Sequence, residues 1–180
     1  MSVYQEIVQL FDNQGGAQYL GEAVTMKNHM LQCGDLAKLD GACDELIVAA
    51  LTHDIGHLLI QDAARLQDLG VDAHHDDVGA DWLAERFPRS VSESVRLHVA
   101  AKRYLVTTDP SYAAKLSQAS IYTLKMQGGL MNDGEIQEFL SHPHYQDAIQ
   151  VRLWDDQAKK PDAPSLELSE FRSEIENASR

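Results

Sequence analysis

Apolar side chains return along this chain every three or four residues, as in Val3, Ile7, Leu10 and Phe11 or in Leu46, Ile47, Ala50 and Leu51. No stretch sustains the alternation that a half-buried strand requires, so the pattern predicts an all-α protein. Helices are expected over about residues 2–12, 25–39, 44–59, 74–87, 90–105, 111–126, 132–140 and 145–158. Thr25, Asp44 and Ser90 stand at helix starts, where a side-chain oxygen can accept from a free backbone N–H, and Gly41 follows a helix end. Two stretches break the pattern, the loop from Gly15-Gly16 to Gly21 and the sequence Gln127-Gly128-Gly129. The segment from Pro161 to Pro164 reads as an exposed connection to a short charged terminal helix, and no internal repeat or low-complexity tract is present.

Composition narrows the classes of partner. At 180 residues and 44% apolar, residues 1–180 make a single compact domain able to bury a core without disulfides or a structural metal. A net charge of -13 repels nucleic acid and anionic membranes, and any anionic substrate must be captured by local cations or metal charge. With Cys33 and Cys43 as its two cysteines, no basic and apolar leader and no membrane-length apolar run, the chain reads as cytoplasmic with reduced thiols. Its size is compatible with a monomer.

The candidate chemistry lies in six dispersed donors: His29, the pair His53-Asp54, His75, His98 and Asp155. Four imidazoles and two carboxylates suit one or two ions of the iron, manganese or zinc type, and the adjacent His-Asp lets the carboxylate reach a second ion. On a continuous helix His53 and His57 share one face, with Asp54 about 100° round from His53. His98 and Lys102 form another pair four residues apart, which sets a candidate ligand one turn from an ammonium and so a metal beside an anion site.

Each donor has a plainer reading. A lone helical histidine is usually solvated or hydrogen-bonded, and His74, His142 and His144 are read that way. His29, His53, Asp54 and His98 sit among apolar neighbours such as Met30, Ala50 and Val99, where buried polar groups need partners and several imidazoles need a metal. Tyr104 with Leu97 and Leu105 reads as core packing, and Asp76-Asp77 as a solvated helix face.

The order His29, His53-Asp54, then distant Asp155 resembles the HD-domain metalloproteins, and His75 and His98 complete the donor set of the two-metal branch. Tyr19-Leu20-Gly21-Glu22-Ala23, His98 through Val106, Ser117 to Gly129 and Arg152-Leu153-Trp154-Asp155 further resemble the organophosphonate-cleaving oxygenases of the PhnZ and TmpB type. The resemblance spans about residues 17–160, with 161–180 left as connection and terminal helix. It implies an HD-domain helical bundle around a dinuclear metal site. Two iron ions, a mixed-valent Fe(II)/Fe(III) pair, would be held by His29, His53, Asp54 and Asp155 on one side and by His75 and His98 on the other, with Asp54 bridging.

The same resemblance implies that Tyr19 closes the second iron until substrate arrives, with Glu22 as its partner, although spacing alone favours a tyrosine that merely anchors a loop. It matches His57, Lys102, Ser120 and Thr123 to positions that bind a phosphonate, and Arg152 stays open between joining them and forming a salt bridge that orients Asp155. Glu22, with Tyr19 or Tyr122, suits a substrate amino or quaternary ammonium group, and Tyr122 favours the methylated one. The implied reaction uses O2 as cosubstrate to oxidise a carbon bearing hydroxyl and phosphonate, breaking the C–P bond to give phosphate and a carboxylate. A 1-hydroxy-2-aminoethylphosphonate would yield glycine, and its trimethylammonio analogue glycine betaine. Two other classes stand against this, a metal-dependent phosphohydrolase acting on a nucleotide or other phosphate ester, and a degenerate HD module serving as a sensor or scaffold.

Overall fold

The expected periodicity resolves into α1 (Val3–Gln14), α2 (Met26–Leu39), α3 (Asp44–Thr52), α4 (Ile55–Leu59), α5 (His75–Ala84), α6 (Arg89–Arg96) and α7 (His98–Thr108). These are followed by α8 (Pro110–Ala113), α9 (Gln118–Met126), α10 (Asp133–Ser141), α11 (Tyr145–Gln157), a 3-10 turn (Leu168–Phe171) and α12 (Arg172–Ala178). The structure is a computed structural model that describes residues 1–19, 22–61 and 71–180. Among the described residues there is no strand, only an isolated antiparallel bridge between Gln18 and Thr25.

Helix α3 is the centre. Residues Ile47 to Thr52 are all buried, and α2, α6, α11 and α12 pack around them. A helix enclosed on every side has no polar face to show, which is why this segment lacks a narrow apolar stripe. The first helix and the last close the same core, with Ile7 and Phe11 joining Phe171, Ile175 and Ala178. The terminal helix read as merely charged is therefore amphipathic, with one face in the core. A second cluster of Ala101, Met131, Phe139 and Ala148 joins α7, α10 and α11, with Leu97 and Tyr104 packed against it as expected. No described helix is long and apolar enough to cross a membrane.

Helix starts follow local chemistry with two adjustments. Thr25 caps α2 by accepting the Asn28 N–H at 3.1 Å, while the cap of α3 is Cys43, one residue before Asp44, and that of α6 is Pro88, two before Ser90. Three expected helices are each broken once. The 44–59 helix divides at His53-Asp54, where Asp54 turns to φ -103° and ψ 13°, and the 90–105 helix divides at Leu97 with φ -90° and ψ -5°. The 111–126 helix becomes α8 and α9, the latter restarted by Ser117, which accepts the Ser120 N–H at 3.1 Å. Periodicity runs through these breaks because both halves face one core, so it reports burial rather than continuity.

Close approach of α4 to α5 depends on Gly56. A Cβ there would stand 1.9 Å from the backbone oxygen of His75.

Candidate metal centre and the cavity beside it

The break after α3 fixes the first donor pair. His53 ends α3 and Asp54 begins the turn into α4, so the two side chains reach the interior from a bend rather than from one helical face. The expected alignment of His53 with His57 fails for that reason, and His57 instead stacks on His75 with ring centroids 4.0 Å apart. The second break starts α7 at His98, and the short gap between α4 and α5 allowed by Gly56 brings in His75.

Two donor groups result. His29, His53 and Asp155 form one and Asp54, His75 and His98 the other, all six residues buried. Asp54 faces both groups. Its Oδ2 lies 3.2 Å from His53 Nε2 and 3.5 Å from His29 Nε2, and its Oδ1 lies 3.2 Å from His75 Nε2 and 3.6 Å from His98 Nε2. Asp155 Oδ1 completes the first group at 3.3 Å from His29 Nε2.

Three of the four imidazoles are oriented by backbone carbonyls. His29 Nδ1 donates to Ala158 O at 2.9 Å, His53 Nδ1 to Ala50 O at 2.8 Å and His98 Nδ1 to Val95 O at 2.6 Å. A ring that donates from Nδ1 presents an Nε2 lone pair inward. His29 Nε2 and His53 Nε2 nevertheless stand 3.1 Å apart, as do His75 Nε2 and His98 Nε2 at 3.2 Å. Facing lone pairs repel, so a proton or a metal cation must lie between them. Among the described residues Asp54 Oδ2 and Asp155 Oδ1 also lack a hydrogen-bond partner. Converging nitrogen and carboxylate donors with spare lone pairs fit two transition-metal ions of the iron, manganese or zinc type.

Electrostatics agree with that fit. Burial would raise the Asp54 carboxyl, but His53 and the neighbouring imidazoles outweigh it and hold it well below the usual carboxylate range. Burial likewise opposes the Asp155 carboxylate, and Arg152 with Lys159 holds it ionised. Burial pushes His53 down while Asp54 and Cys33 push it further up, whereas His75 is driven to about 3 by burial and by His57. Metal binding must displace the His53 proton and is therefore favoured by rising pH.

Tyr19 is buried and stacks on His29, with ring centroids 3.9 Å apart at 16°. Its ring thus lies against His29, while its hydroxyl bonds Asp54 and the residue lines the same cavity wall as His75 and His98. The Glu22 N–H donates to Tyr19 O at 2.6 Å, and its Oε1 is buried without a hydrogen-bond partner among the described residues. Leu20 and Gly21 of the same motif lie outside the described residues.

A cavity opens beside the donors, lined by Tyr19, Glu22, His57, Lys102 and one face of α9. That face presents Ser120 and Thr123, and Lys102 Nζ donates to Thr123 Oγ1 at 3.0 Å. His57, Lys102, Ser120 and Thr123 are all brought together, as the sequence suggested. Tyr122 is not. It is 47% exposed on the other face of α9 and is not among the described residues lining the cavity, which leaves Tyr19 as the aromatic wall. Asp77 is the exposed ion-pair partner of Arg96 at 2.8 Å, whereas Asp76 is half-buried rather than solvated.

Arg152 binds Asp155 through one guanidinium nitrogen and Asp156 through another, the salt-bridge arrangement of its two open readings. Sequence reasoning missed Lys159 and Gln32, and marked Gln127 only as part of a non-helical stretch. Lys159 stands four residues after Asp155, a signal hidden by the charged, proline-containing tail that follows. The Gln127-Gly128-Gly129 turn is pinned by Arg103, whose Nε donates to Gly129 O at 3.0 Å, and Gln127 lines the cavity.

Burial and nearby Arg152 push the Lys102 ammonium down to about 7. It is charged below that pH and neutral above it. Sulfate, whose charge is constant in this range, is therefore expected to bind the metal-free protein about tenfold more weakly at about pH 8.5 than at about pH 6.5. Titration calorimetry checks this, and Lys102→Arg should flatten the dependence.

Comparison with known proteins agrees with the donor pattern. The HD domain family matches residues 26–123. The chain is 41% identical over 170 residues to a [1-hydroxy-2-(trimethylamino)ethyl]phosphonate dioxygenase (glycine-betaine-forming) of Leisingera caerulea, covering 94% of this chain and 87% of that protein. It is 40% identical over 176 residues to a hydroxymethylphosphonate dioxygenase of Gimesia maris, covering 96% and 88%. An uncharacterised protein of Acanthamoeba polyphaga mimivirus is 38% identical over 156 residues, covering 85% and 71%. With the buried histidine and aspartate donors in place and relatives alike over nearly its whole length, the chain belongs to the HD domain family, in its branch of phosphonate dioxygenases.

Proposed function

We propose that this protein is a cytoplasmic non-haem di-iron oxygenase of organophosphonate catabolism, with residues 1–180 acting as one domain. Its substrate is a 1-hydroxy-2-(trimethylammonio)ethylphosphonate or the amino analogue, cleaved with O2 to phosphate and glycine betaine or glycine. The observation that supports this most is that the two donor groups joined by Asp54 open into the same cavity as Lys102, Ser120 and Thr123. A mixed-valent Fe(II)/Fe(III) pair held by His29, His53, Asp54, His75, His98 and Asp155 would supply O2 activation and oxidation of the hydroxyl-bearing carbon, chemistry that no side chain provides.

The chain's own residues then bind and orient. Lys102 and the hydroxyls of Ser120 and Thr123 hold phosphonate oxygens through charge-assisted and hydroxyl hydrogen bonds. His57, kept neutral by burial, has both ring nitrogens free of hydrogen bonds among the described residues and can donate one N–H to the same group. At the other end of the substrate, the half-buried Glu22 carboxylate and the Tyr19 ring suit a cationic nitrogen, the ring contributing about 0.5–2 kcal/mol. The Tyr19 hydroxyl, bonded to Asp54, also shields the centre from water before substrate displaces it.

The test is to load the protein with iron under low oxygen and follow O2 uptake and phosphate release with both aminophosphonates and with hydroxymethylphosphonate. O2 consumed in step with phosphate is the expected result, and the fastest substrate gives the specificity. Phosphate released from nucleotides without O2 would make the protein a hydrolase. In the same assay Tyr19→Phe should keep two irons per chain yet lose activity several-fold faster in air without substrate. Equal survival of variant and wild type would reduce Tyr19 to a loop anchor.

A further inference from the structure

Beyond the end of α11, residues 158–160 form a strap with three attachments. The Ala158 carbonyl accepts from His29 Nδ1 at 2.9 Å. Gln32, one turn after His29 on α2, holds Lys160 by a paired amide contact, donating from Nε2 to Lys160 O at 2.8 Å and accepting the Lys160 N–H at 3.2 Å. Gln32 is itself buried, at 6% exposure. Between these anchors Lys159 turns into the cavity, with Nζ 3.2 Å from Ser120 Oγ, 3.3 Å from Asp155 Oδ1 and 3.4 Å from Asp156 Oδ1.

Charge balance gives Lys159 its meaning. Arg152 already pairs with Asp155 through Oδ2 and with Asp156. When Asp54 and Asp155 Oδ1 serve metal cations, their charge is no longer available to the lysines. Lys159, left to share the Asp156 carboxylate with Arg152, and Lys102 are then two nearly buried amines held beside hydroxyls, Ser120 for one and Thr123 for the other. A buried charge beside neutral donors is unfavourable unless an opposite charge joins it. An oxyanion seated at Ser120 and Thr123 meets that need for both.

We propose that Lys159 is a further oxyanion-binding residue of this cavity, gripping a phosphonate oxygen beside Ser120, and that the Gln32–Lys160 amide pair sets its position. The identity of the anion as a phosphonate rests on the function proposed above, but anion binding itself can be measured apart from turnover.

The experiment uses the metal-loaded protein with inorganic phosphate as the probe, in titration calorimetry at fixed pH, alongside KM for the preferred phosphonate and metal content. Lys159→Met should raise both the phosphate Kd and the KM by about tenfold or more, the size expected for one charge-assisted hydrogen bond, with two metals retained. Lys159→Arg should recover most of the loss. Gln32→Leu should raise KM in the same direction while keeping the charge of Lys159. Unchanged phosphate Kd and KM in Lys159→Met with two metals bound would overturn the proposal. So would loss of metal from Lys159→Met, which would make the residue a structural partner of Asp155. Wild-type protein that binds phosphate but cleaves no phosphonate would defeat the proposed reaction and leave the anion site standing.

Discussion

Asp54→Ala is expected to leave less than one metal ion per chain and no measurable turnover, where Asp155→Ala loses only the ion of the His29–His53 group. The difference follows from geometry, since Asp54 offers Oδ2 to one group and Oδ1 to the other, and Asp155 reaches a single group. Residues that merely support a ligand already cost about 10- to 100-fold in metal affinity when removed, and a shared ligand exceeds that at both positions. Elemental analysis after desalting measures the loss. Stability should fall with it, because metal bound at 100 times its Kd contributes about 2.7 kcal/mol, worth roughly 5–10 °C in Tm for a chain of this size. Circular dichroism should show the helices retained. Two metals per chain in Asp54→Ala would show that the donor groups do not share this carboxylate.

Gly56→Ala is expected to damage the fold and the second donor group together. The new Cβ would meet the His75 carbonyl oxygen at 1.9 Å and the Gly79 nitrogen at 3.0 Å, and all these neighbours are backbone that cannot rotate away. Helices α4 and α5 must therefore separate, at about 1–3 kcal/mol for an overpacked contact, or roughly 3–10 °C in Tm. His75 moves with its own carbonyl, and metal ligands tolerate only about 0.2 Å. Metal content should fall from two to one, with the ion at His29, His53 and Asp155 kept. Gly16→Ala is the control, since nothing lies within 4 Å of a Cβ there. Two metals and an unchanged Tm in Gly56→Ala would remove Gly56 from the account of how His75 is placed.

The features that the sequence reveals are those written in side-chain type. Helical periodicity marked the elements, and four donors among apolar neighbours, His29, His53, Asp54 and His98, pointed to the centre, because an imidazole or carboxylate in an apolar stretch conflicts with burial unless it has a partner; His75 and Asp155, beside charged residues, were supplied by the family resemblance. What stays hidden is written in the backbone. The turns at His53-Asp54 and at Leu97 interrupt no apolar pattern, and no glycine or proline stands at either to announce them. Lys159 and Gln32 meet the centre only through the path of the chain after α11, and their residue types are ordinary for a helix surface. Tyr122 failed in the opposite way. Its aromatic ring invited a binding role, but its place between Ser120 and Thr123 on α9 turns it outward.

The three carbonyls that orient His29, His53 and His98 share one more property. Ala158, Ala50 and Val95 all lie in the last turn or cap of a helix, α11, α3 and α6 respectively. Peptide dipoles add along a helix to the equivalent of about half a negative charge at that end. Three such ends directed at one centre give a negative field that no titratable group supplies, in addition to the charges of Asp54 and Asp155. Bound cations are thus partly neutralised by peptide groups, which acid does not discharge and no side-chain substitution removes. Straightening α3 into α4, or α6 into α7, would satisfy those carbonyls with amides and switch that field off, so changes that improve these helices should weaken the hold on metal.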